Sequence, residues 1–304
     1  MYQLYKFFML LILCCSVTVH AQTVRMIVPF SPGGIGDQVN RSIQRHLQQD
    51  INEKVVVEFH PGAGTEIGMD LVANANPSEI LLLINGPAIF TTAIRKNKLD
   101  FYQAQLKPVH HLGNTPFVLV VSKKLGVRNF TEFQALSSKR PISYGSSGVL
   151  TATHLAGANL GQATGMNFLH IPYKGSGQTI PDLIGGHIDV MVIYWNSVAQ
   201  LVQSDQLVSL AVDSQQRLAA LPSVPTFKEL GIDRVSRHGW LMMFSNNSFH
   251  SKKIQEIQNS VARWTDSVEF KEAGFIKENK QPTAQEFYDY GIKAYTAIAK
   301  QVQD

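Results

Sequence analysis

The chain has 304 residues and only two cysteines, Cys14 and Cys15, both close to its start. No disulfide or thiolate metal site can form beyond them, so the folded part depends on its core alone. Long apolar runs are also missing. The opening stretch FFMLLILCCSVTV (7–19) has 13 uncharged residues, whereas a spanning helix needs about 20. With Lys6 before it and Val19-His20-Ala21 after it, this stretch reads as a signal peptide cleaved after Ala21 and predicts an exported protein. Leu13 and Cys14 precede the cysteines where lipoprotein processing wants a small residue, which argues against a lipid anchor. Blocks of like charge are absent too. The 27 basic and 23 acidic residues give a net charge of +4, and the basic runs stop at pairs, Lys123-Lys124 and Lys139-Arg140. A nucleic-acid partner is therefore not expected.

Signatures of common chemistries are equally scarce. Gly33-Gly34-Ile35-Gly36 lacks the dinucleotide-binding spacing, and there is neither a phosphate-binding G-x-x-x-x-G-K nor an H-E-x-x-H pair. The adjacent His110 and His111 point different ways on any regular element. No cofactor and no metal are expected. Ser146 and Ser147 lie in GSSG, which lacks the fifth position of G-x-S-x-G. A Ser146–His154–Asp189 triad can be composed on paper, but nothing in the sequence places a base beside either serine.

What is present is a repeated strand–turn–helix wording. A hydrophobic content of 44% with 16% charge describes a globular protein, and the length favours two domains. Strands are predicted at 24–30, 54–59 and 79–86, with helices following from about 35, 67 and 88. The helix after the first strand carries Val39, Ile43 and Leu47 on one face. PFVLVVS (116–122) closes this block, and the alternation restarts with strands at 141–146, 167–173, 187–193 and 207–213. Helices are predicted near 129–138, 150–164, 176–186 and 196–204. The tail adds a strand at 238–245 and helices at about 251–270 and 284–301. Such alternation predicts an α/β fold with mostly parallel sheets. The second block looks complete, so the tail is assigned to the first lobe. The expected limits are 1–21 for the signal peptide, 22–121 plus 239–304 for the first domain and 122–238 for the second, with two hinge crossings and a cleft between them.

Small-residue turns follow four strand ends: Ser31–Gly36, Pro61–Thr65, Ser146–Gly148 and Lys174–Gly177. In open α/β sheets ligands bind outside the carboxyl ends of the strands. Glycine lets backbone approach a ligand, and helix N-termini offer N–H groups to an anion. Asp37 falls in the first turn of the helix after Pro32-Gly33-Gly34, where capping the helix is favoured over contact with a ligand ammonium group. His154 caps, packs or lines the cleft.

Five segments follow one another in a familiar order: VPFSPGGIGDQVNR, HPGAGTEIG, ISYGSSGVLTATHLAG, HIPYKGSGQTIPDLIGGHIDVM and LVSLAVDSQQRLAALPSVPTFKELG. Together they resemble the Bug-type tripartite tricarboxylate transporter receptors, which are periplasmic solute-binding proteins. The resemblance implies a two-lobed periplasmic-binding-protein type II fold. It also implies capture of a small carboxylate (a di- or tricarboxylate, an amino acid or an aromatic acid) by a monomer serving the membrane subunits of a tripartite transporter or a sensor. Carried onto matching positions, it implicates Phe30, Ser31, Pro32, Gly33, Gly34, Gly64, Ser146, Ser147, Thr153, His154, Tyr173, Lys174 and Asp189. Three further expected contacts are Thr65, Asn85 at the end of the third strand, and Tyr194. Tyr194 and Trp195 stand where the family has a short polar stretch, and serve either the core or the pocket wall. The alternatives to transport are a secreted serine hydrolase using Ser146 or Ser147, and a ligand sensor feeding a signalling system.

Overall fold

The computed structural model describes residues 23–232, 235, 239–246, 251–272, 275–276 and 282–301. The expected signal peptide and its cleavage point lie outside the described residues, as do residues 233–234 and 236–238, which span the expected limit at 238/239.

Ten strands occur in chain order: β1 (Val24–Val28), β2 (Val55–Phe59), β3 (Ile80–Asn85), β4 (Leu106–Asn114), β5 (Phe117–Ser122), β6 (Ile142–Ser146), β7 (Phe168–Pro172), β8 (Val190–Tyr194), β9 (Leu207–Asp213) and β10 (Trp240–Asn246). They form two five-stranded sheets, ordered β2-β1-β3-β10-β4 and β7-β6-β8-β5-β9. The helices are α1 (Ile35–Ile51), α2 (Glu66–Ala73), α3 (Ala88–Arg95), α4 (Leu99–Gln105), α5 (Phe130–Ser137), α6 (Ala152–Thr164), α7 (Ser176–Gly185), α8 (Trp195–Gln203), α9 (Ser251–Thr265), α10 (Val268–Glu272) and α11 (Ala284–Gln301).

Each sheet is mixed, which corrects the expectation of mostly parallel pairing. β1 runs parallel to β2 and β3, and β6 parallel to β7 and β8. β10 is antiparallel to both its neighbours, and so is β5. These two strands enter their sheets straight after the chain has passed from one sheet to the other. The sequence reading ended the first domain at 121, but β5 pairs with β8 and β9 in the second sheet. Its residues Phe117 to Val121 are all fully buried, so the strand needs cover on both faces and takes a central position. Segment α4–β4 was also not anticipated. β4 is an edge strand containing Pro108 and two histidines, a composition that hides a strand while suiting a sheet edge.

Alternation along the strands sends neighbouring residues to opposite faces. In the first sheet Met26, Leu82 and Met243 pack with Val39, Ile43 and Leu47 of α1 and Ile257, Val261 and Trp264 of α9. Ile27, Leu83 and Phe244 face α2, α3 and α11 through Met69, Val72, Phe90, Tyr288 and Tyr295. In the second sheet Leu119 and Val192 meet Ala156 and Leu160 of α6, and Val120 and Ile193 meet Ile180, Leu183 and Val198 of α7 and α8. Each such fully buried aliphatic side chain stabilises the fold by about 1.5–3 kcal/mol.

The two passages between sheets run side by side. Thr115 donates its backbone N–H to the Gly239 carbonyl, and a Cβ on Gly239 would collide with the Thr115 carbonyl. Glycine is required there by the close approach of the two hinge segments.

Candidate functional site between the lobes

The carboxyl ends of the parallel strands of both sheets face one another, and the turns that follow them touch. Ser31 donates its N–H to the Lys174 carbonyl at 2.9 Å, and Thr91 on α3 donates Oγ1 to the Leu150 carbonyl at 2.8 Å. A Cβ on Gly177 would overlap the Pro32 carbonyl oxygen, and one on Gly34 would overlap Ser176 Oγ. The lobes are therefore closed on each other, with backbone against backbone where glycine permits it.

Two cavities remain along this seam. The inner one is about 30 Å³ and is lined by Phe30, Gly34, Asn85, Ser147, Thr153 and Tyr194, with Thr151 and Ser176 adding hydroxyls. The start of α1, Gly34 to Gly36, ends in its wall and brings helix N–H groups to it. The outer cavity is about 400 Å³ and is lined by Gly64, Thr65, Ser147, Tyr173 and Lys174, joined by Arg95 and Lys96 from the end of α3. Asn85 ties the walls of the two: its amide donates to Thr65 Oγ1 at 3.1 Å and its carbonyl accepts from Gly86 N at 2.9 Å. Tyr194 resolves its two expected roles by filling both. It packs on Phe117 at 4.4 Å between ring centroids and lines the inner cavity opposite Gly86.

Six expected contacts line neither cavity: Ser31, Pro32 and Gly33 lie in the loop behind them, Ser146 ends β6, His154 is on α6 and Asp189 precedes β8. Ser31 is buried against Gly175, and its backbone carries the contact between lobes. Pro32 meets Gly177, and Gly33, at φ +90°, donates its N–H to Asp37 Oδ2 at 2.9 Å. Asp37 thus braces the loop, and pairs with Arg41, instead of capping the helix's own N–H groups. Ser146 is fully buried, and His154 Nδ1 accepts the Leu150 N–H at 3.0 Å.

The paper triad does not assemble. Asp189 lies at the amino ends of its strands, where Arg140 binds it bidentately at 2.7 and 2.8 Å and Ser143 donates both N–H and Oγ–H. Burial works against its charge, but these donors hold its carboxyl below the usual carboxylate range. The structure instead brings a base the sequence did not suggest: His170 Nε2 is 2.7 Å from Ser146 Oγ. His170 stacks on His154 at 4.1 Å and on Tyr144 at 4.8 Å. Burial pushes both imidazoles down to about 4, reinforced for His154 by Arg95 and for His170 by His154. Two neutral rings therefore support the loop Ser146–Leu150, whose Leu150 sits at φ +63°, a strained angle for a branched residue.

Ser176, Thr151, Arg95 and Lys96 were missed by the sequence reading. Ser176 lies inside the KGSG turn already singled out. Arg95 and Lys96 carry no local signal, because cations at a helix end ordinarily answer the helix dipole.

The TctC family, described as "Tripartite tricarboxylate transporter family receptor", matches residues 39–289. The chain belongs to this family. Membership makes the receptor a periplasmic solute-binding protein. The receptor is 32% identical to protein BugT of Bordetella pertussis over 242 residues, 78% of this chain and 74% of BugT. The solved structure of the periplasmic binding protein BugD is 25% identical to it with a TM-score of 0.84, covering 92% of the receptor and 97% of BugD. The structure of R. palustris Rpa4515 with adipate superposes at a TM-score of 0.84 over 93% of the receptor and 97% of that chain, at 23% identity, and shares the fold.

Proposed function

We propose that this receptor captures a small carboxylic acid between its lobes and delivers it to the membrane subunits of a tripartite transporter. The observation that carries the reading is the inner cavity, where hydroxyls of the second lobe face Asn85 and the N-terminus of α1 in the first. Hydrogen bonds to a charged group contribute roughly 1.5–3 kcal/mol each. Five of them at about 2.4 kcal/mol each offset an association cost of about 4 kcal/mol and leave the ~8 kcal/mol of a micromolar constant. Adipate in the related Rpa4515 structure supports a carboxylate as the ligand class. Closure of the lobes is the signal that the membrane subunits read, and the chain works after cleavage at Ala21. The lobe limits that fit the sheets are 23–115 plus 239–301 for the first and 116–232 for the second.

The test is mass spectrometry of solute released from protein purified without refolding, followed by calorimetry against an organic-acid panel. A carboxylic acid retained and rebound supports the reading; a folded, monodisperse protein that binds no acid ends it. The hydrolase alternative draws on the Ser146–His170 contact, yet Ser146 is fully buried and lines neither cavity. Labelling of Ser146 or Ser147 by a serine-reactive phosphonate would revive it.

A further inference from the structure

The loop Ser146–Leu150 rests on two histidines and reaches across the seam, and Leu150 is where support and seam meet. Its N–H is held by His154 Nδ1 at 3.0 Å, and its carbonyl accepts from Thr91 Oγ1 of the first lobe at 2.8 Å. The Val149 carbonyl lies so near Gly64 that a Cβ there would stand 2.7 Å from it. Leu150, at its strained φ of +63°, is thus kept at the lobe contact by a hydrogen bond on each side. The bond to Leu150 also fixes the His154 tautomer, with the lone pair on Nδ1 and the proton on Nε2. A second proton must enter at Nδ1, where it abolishes the acceptor and sets N–H against N–H.

The groups around the ring oppose the same proton. His170 from β7 stacks on it at 4.1 Å, so a charge on one imidazole resists a charge on the other. Tyr144 from β6 lies beyond at 6.5 Å and is kept neutral by burial. β8, which also packs on α6, brings only Tyr194, which faces the inner cavity. Across the seam Arg95 of α3 repels a charged His154, and Lys96 and Lys174 line the same outer cavity as Arg95 and Leu150. Neither histidine has a carboxylate ion-pair partner among the described residues. Arg95 belongs to the first lobe and His154 to the second, so their repulsion exists only while the lobes are together.

We propose that His154 is a proton-operated latch on lobe closure: a proton on Nδ1 releases Leu150, loosens the Thr91 contact and favours the open receptor, so that acid discharges the bound solute. This rests on the receptor reading and adds a control to it. The linkage has one sign. Burial and Arg95 hold the imidazole of the closed state near 4. Parting the lobes removes Arg95 and returns the ring toward the ordinary value of about 6.5. Between those values the open form binds more protons, closing on a ligand expels one, and affinity falls as pH falls. One such group weakens binding by about three- to tenfold between pH 7.5 and 5.5 and has no effect at higher pH.

The experiment is calorimetry of the mature chain with succinate, glutarate, adipate and citrate at pH 7.5, 6.5 and 5.5, repeated on His154→Asn and on the remote control His187→Asn. Each acid titrates alike against all three proteins, so its own protonation cancels in the ratio between them. Between pH 7.5 and 5.5 the tightest acid should lose about three- to tenfold more affinity in the parent and in His187→Asn than in His154→Asn. The asparagine oxygen still accepts from Leu150 N but does not titrate. The parent alone supplies a second reading by NMR: the imidazole nitrogens of His154 should titrate about one pH unit or more lower with that acid bound than without it. Equal losses in the parent and His154→Asn, or a His154 titration that the acid leaves in place, overturns the latch and leaves the receptor reading standing. Failure of every acid to bind the folded protein overturns both.

Discussion

The inner and outer cavities offer two kinds of chemistry on one seam. The inner wall sets hydroxyls and a helix N-terminus among apolar side chains such as Phe30, Ile35 and Leu241, and its hydroxyls are held by their own hydrogen bonds: Thr153 Oγ1 accepts from Ser147 N at 2.8 Å, and Thr151 donates to the Gly148 carbonyl at 2.7 Å. The outer wall is long cationic side chains at the rim. Neutral donors in a closed, rigid site orient an anion without paying for the burial of a counter-charge. Exposed cations gain less per contact but reach and select. The difference teaches that a neutral, hydroxyl-bearing wall and a cationic rim can lie side by side with Ser147 common to both.

The sharpest way to break this division is to stop the lobes from meeting. Gly177→Ala suits α7 by helix propensity, yet its Cβ would overlap the Pro32 carbonyl. Calorimetry should show at least a 100-fold loss for every ligand, with no drop in the melting temperature of the unliganded chain. Ser147→Ala removes a wall common to both cavities and should weaken mono- and dicarboxylates alike, by about tenfold, from roughly 1.5 kcal/mol per charged hydrogen bond. A loss confined to one of the two classes would overturn Ser147 as a wall common to both cavities.

A smaller effect comes through the histidines behind the shared wall. Above pH about 6.5, His154 and His170 are neutral in both folded and unfolded chains and make no difference. Below it the unfolded chain takes up protons that the buried rings refuse until about pH 4, so stability falls across that window. His111, buried against Phe287 and also pushed down to about 4 by burial and by His110, adds to the same limb. The melting temperature should drop as pH falls from 6.5 to 4, and His154→Asn, which keeps an acceptor for Leu150 N, should flatten part of that drop. The smallest effect on binding belongs to Asp189→Asn. Losing its pairing with Arg140 and Ser143 should lower the melting temperature while affinity for the best ligand stays within twofold; a larger change would bring Asp189 back to the cleft.

Much of the architecture was legible because strand ends, glycine turns and helix periodicity are local signals. Val39, Ile43 and Leu47 announced α1, and SPGGIG and KGSG marked turns that now touch across the seam. What could not be read was set by partners distant in sequence. β5 looked like a continuation of the first block, since nothing in FVLVVS says which sheet will cover it. Asp189 sits in a familiar segment but answers Arg140, a contact only the folded strand order creates. Ser146 and His170 meet because β6 and β7 are parallel neighbours, which no spacing in the sequence encodes. Arg95 lines a cavity only because the second lobe lies over the end of α3.

The place of β10 in the first sheet has a consequence for the order in which the molecule is made. β10 lies between β3 and β4, so β4 has no sheet to join until residues 240–246 arrive. The second sheet uses only residues 117–213 and is a continuous stretch of chain. As the polypeptide emerges from the export channel, the second lobe can condense while the first waits as an open edge for its tail. A chain halted before Trp240 should yield one protease-resistant lobe and one digestible one, and late synthesis is when the first becomes safe from aggregation.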